Sequence, residues 1–173
     1  MAAILVGIIR FLHIMSAVGW VGGGLLWATI IAPNVLARGP APLRRPFLEA
    51  ALGPVTRFFI SSAIATLVFG FLLMGAQFGW DFGAGWKIPT YGRYMGIGAL
   101  AALVMAAHGM GVIAPSGKKL LAKMQALPPG PPSEAAQAEL MASGKKLGMH
   151  GMLSVLLGTI ALACMVAAVN YVR

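Results

Sequence analysis

Four stretches of this chain, at about residues 4–31, 55–78, 92–114 and 147–169, run for more than twenty residues with at most one charged residue each. A bilayer core of about 30 Å takes about 20 helical residues to cross. Backbone polar groups in lipid have no water to bond, so a crossing segment must satisfy them internally as a helix. Each stretch therefore reads as a membrane-spanning helix, and the chain as one all-α integral membrane four-helix bundle over residues 1–173. Composition agrees. Of 173 residues, 59% are hydrophobic and 10% charged, whereas a soluble domain carries roughly a quarter charged residues. Too little polar surface exists to cover a water-facing globule.

The first stretch carries Arg10 and continues past Trp27 without a small-residue cleavage site, so it reads as a permanent span and not a signal peptide. Pro33, Pro54, Pro89 and Pro115 are expected near span ends, where proline is tolerated. The run Pro128-Pro129-Gly130-Pro131-Pro132 interrupts the last loop. Ser133 then looks like an N-cap with Glu134 in the first turn, opening a helix that can run unbroken into the fourth span.

The formal charge of +9 suggests nucleic acid only until its positions are read. Arg38, Arg44 and Arg45 lie in the loop 34–53, with Arg57 just beyond it. Lys118, Lys119, Lys123, Lys145 and Lys146 lie in or at the edge of the loop 116–146. Two spans separate these loops, so they share a side, and the other side holds Arg10, Lys87, Arg93 and Arg173. Nine basic residues against four place both loops in the cytoplasm and both termini on the non-cytoplasmic side. The expected location is a bacterial inner (plasma) membrane, with anionic lipid head groups near the basic loops and no nucleic acid partner.

Ionisable residues inside a membrane are costly and mark function. No acidic residue falls in a span: Glu49, Asp81, Glu134 and Glu139 all lie outside. The three histidines do fall in or at the edge of spans, each with a methionine two residues on: His13 with Met15, His108 with Met110, His150 with Met152. Imidazole and thioether both ligate haem iron or copper(I). Helical phase separates the members of each triplet, because residues i and i+2 point about 200° apart and cannot chelate one ion. Copper is therefore the lesser expectation.

A rise of 1.5 Å per residue sets His13 about 13 Å below the outer end of the first span, His108 about 9 Å from the inner end of the third, and His150 about 5 Å into the fourth. His108 and His150 share a level and are expected as a pair able to ligate b-type haem. His13 belongs to the outer half, with Tyr94 or Met95 as a second candidate ligand and Trp20, Gly19 and Gly22 suited to a planar macrocycle. Ser16, Ser61, Ser62, Thr66 and Ser154 are expected to hydrogen-bond between helices. Glycine pairs at Gly19/Gly23, Gly92/Gly96 and Gly144/Gly148 have the small-xxx-small spacing of close helix packing. The lone Cys164 excludes an internal disulfide, and no phosphate loop, dinucleotide fingerprint or nucleophile–histidine–acid set is present.

The run from Phe11 to Leu25, FLHIMSAVGWVGGGL, resembles the opening helix shared by the bacterial membrane protoporphyrinogen oxidase, the copper-resistance D membrane proteins and related families. The resemblance covers about 25 residues closely and the four-span layout loosely. It implies that His13 matches the first-helix histidine thought to ligate haem, and that Ala106-Ala107-His108-Gly109 is similar to the inner end of the third helix. That group has a lysine in the outer half of its third helix, where this chain has apolar residues around Ile97, so a haem pocket is implied more strongly than oxidase activity. The leading expectation is an inner-membrane protein binding haem b in an electron-transfer or redox role, in a homo-oligomer or larger redox complex. A cofactor-free accessory subunit of a larger complex and a copper-handling protein are the alternatives.

Overall fold

The computed structural model describes residues 2–128 and 132–171. Four helices in it are long and apolar enough to cross a membrane: α1 (Ala3–Val35), α2 (Ala41–Gln77), α4 (Pro89–Gln125) and α5 (Glu134–Val169). A short helix, α3 (Phe82–Trp86), joins α2 to α4. No strand occurs among the described residues. Chain direction alternates, with α1 packed along α2 and α4 along α5, while α5 also meets the middle of α1.

The centre is built from Trp20 of α1, Ala63 of α2, Ala101, Ala102, Met105 and Ala106 of α4, and Ala161 of α5. Water does not press helices together in lipid, so close backbone approach by small residues supplies the packing. Gly19 and Gly23 do this as their spacing predicts, lying against Phe58 and Phe59 of α2. Gly158 of α5 lies so near α1 and α4 that a Cβ there would be 2.9 Å from Val21 Cγ1 and 3.1 Å from Met105 Sδ. The other two pairs behave differently. Gly92 and Gly96 sit under the Trp86 ring, and Gly144 and Gly148 have no such neighbour within 4 Å.

The loops expected at 34–53 and 116–146 are mostly helix. At 1.5 Å per residue, the 37 residues of α4 extend about 55 Å, nearly twice a bilayer core. The excess is amphipathic. Leu120 and Gly117 are buried while Lys118 and Lys119 are exposed, and Leu52 of α2 lies against Gly117. Lys123 of α4 reaches Glu139 of α5 at 2.6 Å. A packed helical projection therefore stands where hydropathy predicted loops. As expected, Ser133 Oγ accepts from the Ala136 N–H at 3.3 Å and opens α5. Pro129, Gly130, Pro131 and Arg173 lie outside the described residues.

Pro89 opens α4 and Pro54 lies inside α2. Pro33 lies two residues before the end of α1, as expected, and Pro115 lies inside α4. Each follows by two residues a stretch wound as a π-helix, Trp27–Ile31 and Gly109–Ile113. Proline offers no N–H to the carbonyl four residues back and its ring crowds that carbonyl, so the turn before it loosens. The second of these turns starts directly after His108.

Candidate metal-binding histidines

His13 projects from α1 across the groove to α2. Its Nδ1 lies 2.9 Å from the carbonyl oxygen of Thr66. A carbonyl only accepts, so Nδ1 carries the hydrogen and Nε2 keeps its lone pair. Gly70, one turn further along α2, makes the approach possible: a Cβ at that position would be 2.8 Å from the imidazole Cε1 and 3.1 Å from Nδ1. Thr66 is itself buried, its hydroxyl donating to the Ser62 carbonyl at 2.7 Å. The ring is thus oriented by one backbone bond and one missing side chain. A ligating histidine is typically held in this way, its second nitrogen donating to a carbonyl or carboxylate.

His108 and His150 meet across the α4–α5 interface, as their shared level predicts. His108 Nε2 stands 3.0 Å from His150 Nδ1, with ring centroids 5.1 Å apart and planes at 54°. His108 Nδ1 is 3.1 Å from the hydroxyl of Ser154, which is buried one turn above His150. The three side chains form one hydrogen-bonded chain. Two imidazoles on opposite sides of a haem iron, at metal–nitrogen distances of about 2.0–2.1 Å, need their nitrogens about 4 Å apart. At 3.0 Å the rings hold a hydrogen between them, and a trans haem pair does not fit this arrangement.

The two histidine sites are far apart. Ala28 of α1 faces Gly151 and Val21 faces Gly158, so His13 stands about 24 Å along the bundle from His150. His13 lies toward the end that carries residues 2 and 171, and the pair toward the end with the exposed lysines Lys118, Lys119, Lys145 and Lys146. The methionines two residues on face outward as helical phase requires: Met15, Met110 and Met152 are 51%, 42% and 50% exposed.

The other residues expected around His13 have other neighbours. Tyr94 stacks on Tyr171, just past the end of α5, with centroids 5.8 Å apart. Met95 lies half-buried on α4, which packs mainly on α5, whereas His13 bonds to α2. Gly19 is covered by Phe58 and Ser62, Gly22 is exposed, and Trp20 points into the core. The core holds a partly open cavity of about 20 Å³ lined by Trp20, Val21, Thr66, Ala102 and Met105 among others. That is room for about one water and none for a macrocycle.

Three partners of the histidines were not evident from sequence: the Thr66 carbonyl, Gly70 and the Ser154 hydroxyl as a bond to His108. Of the hydroxyl groups expected to bond between helices, Ser154 does so. Ser16, Ser61 and Thr66 bond within their own helices, to Leu12 and His13, Phe58, and Ser62. Among the described residues no group of three or more His, Cys, Asp or Glu side chains converges. No family model, curated protein or solved structure matches the chain, so the resemblance of the first helix rests on its own residues.

Proposed function

We propose that this is a multi-pass membrane protein that carries haem b on His13 and passes electrons through it, with both termini on the non-cytoplasmic face of a bacterial plasma membrane. One observation carries the reading: a histidine in a span whose Nδ1–H is bonded to the Thr66 carbonyl at 2.9 Å and whose Nε2 lone pair is left for a metal. The donor set fits haem iron. The core cavity beside Trp20 is too small for a macrocycle, and His13 is the residue that would hold the iron.

The haem, when bound, supplies one-electron chemistry. The chain's own part is to hold and tune. Thr66 fixes the imidazole tautomer and makes Nε2 a better donor. Gly70 lets the ring sit against α2, and the apolar helices keep water from it. Orientation rests on the excess of lysine and arginine at the far end.

The test is optical. Purified protein mixed with haemin should give a Soret band that shifts on dithionite reduction, and His13→Ala should abolish it. A colourless wild-type preparation would overturn the reading. It would favour a second one, a cofactor-free accessory subunit, for which Gly144, Gly148, Gly109 and Gly111 speak because they meet no neighbour within 4 Å and leave room for a foreign helix.

A further inference from the structure

We propose that His108 and His150 form a chelating site for a single borderline d-block cation of the zinc type, separate from His13 and reached from the lysine-bearing end.

The distance between the rings decides the kind of ligand. With metal–nitrogen bonds of about 2.0–2.1 Å, two imidazoles at a tetrahedral angle sit about 3.4 Å apart, and two in trans about 4.1 Å. From the observed 3.0 Å, the first arrangement needs the nitrogens to part by about 0.4 Å and the second by about 1.1 Å. The rings must also turn so that both lone pairs meet off the line between them. Histidine χ2 is a soft, broad torsion, which allows such a turn of the rings. Tetrahedral geometry is therefore near, and trans geometry is not.

The hydrogen bonding points the same way. His108 Nδ1 has Ser154 Oγ at 3.1 Å; in the tautomer whose Nδ1–H donates to that oxygen, Nε2 is the donor to a metal, the usual outer support of a ligating histidine. His150 presents Nδ1 to the same point, and in the metal-binding tautomer its Nε2–H donates to water, since the residue is half-buried. The cation takes the place of the hydrogen the two rings share. His150 Nδ1 gives that hydrogen up and its Nε2 takes one from solvent, so both rings bind as neutral imidazoles and no net proton is released. Water completes the coordination, because no third His, Cys, Asp or Glu converges among the described residues.

Charge sets the selectivity. The donors are neutral nitrogens, and the charged residues nearest along α4 and α5 are Lys118, Lys119, Lys145 and Lys146. Calcium and magnesium ask for carboxylate oxygens, which neither ring supplies. Zinc and its neighbours accept imidazole.

The experiment is isothermal titration of the purified, tag-free full-length chain in detergent with Zn²⁺ alone, and with Co²⁺ to read the visible bands of tetrahedral coordination. One cation per chain is expected. His108→Ala, or the gentler His150→Gln, should weaken binding at least 10-fold while circular dichroism shows the helices intact. Ser154→Ala should weaken it less, and His13→Ala should leave it unchanged while removing the haem spectrum, so the two proposals fail separately. No saturable uptake at millimolar Zn²⁺, or uptake indifferent to both His108→Ala and His150→Gln, would overturn the inference.

Discussion

Replacing Gly70 by alanine isolates the contact on which the His13 site depends. The added Cβ would lie 2.8 Å from His13 Cε1, whereas ordinary contact begins near 3.4 Å. The ring must therefore withdraw by about 0.6 Å, which stretches the 2.9 Å bond to the Thr66 carbonyl to the edge of hydrogen bonding. Losing that bond costs about 0.5–1.5 kcal/mol, and overpacking adds about 1–3 kcal/mol. Alanine returns up to about 1 kcal/mol as a better helix former than glycine. The net is a loss of about 0.5–4.5 kcal/mol, and a displaced ligand should bind metal about 10–100-fold more weakly. Thermal unfolding followed by circular dichroism reads the first effect and haemin titration the second. Gly7→Ala is the control. It lies on α1 with no such neighbour within 4 Å, so it should be neutral or slightly stabilising and leave haem binding alone. If Gly70→Ala behaves like Gly7→Ala in both assays, the placement of His13 over Gly70 is wrong.

Two other substitutions probe the packing. Gly158→Ala drives a methyl group to 2.9 Å from Val21 and 3.1 Å from Met105 and should cost about 1–3 kcal/mol in thermal unfolding, whereas Gly148→Ala, beside open space, should cost nothing. Lys123→Ala breaks an ion pair whose side chains are 45% and 64% exposed. Unfolding should shift by well under about 1 kcal/mol, and less still in high salt.

The four spans were legible because a run of more than twenty apolar residues has few other uses, and the heights of the histidines followed from the helical rise alone. His108 and His150 were paired on that basis, and they touch. The helical projection was not legible by hydropathy. The segment from Ala114 to Gln125 is polar on average, and its helix is held where Gly117 lies against Leu52 and Leu120 is buried, contacts that only the fold brings in. The partners of His13 carried no side-chain signal at all. One is a backbone carbonyl and the other is the absence of a Cβ at Gly70, and both depend on how α2 is rotated. The site residues chosen for flatness or smallness, Trp20 and Gly19, went to the core and to Phe58, because in lipid the small and aromatic surfaces that suit a macrocycle also suit helix packing.

The haem content of the purified chain, measured as pyridine haemochrome per mole of protein, bears most directly on the central claim. One haem b per chain is expected in the wild type, none in His13→Ala, and one in the His108→Ala/His150→Ala double variant. No haem in the wild type, or haem retained by His13→Ala and lost from the double variant, would contradict it.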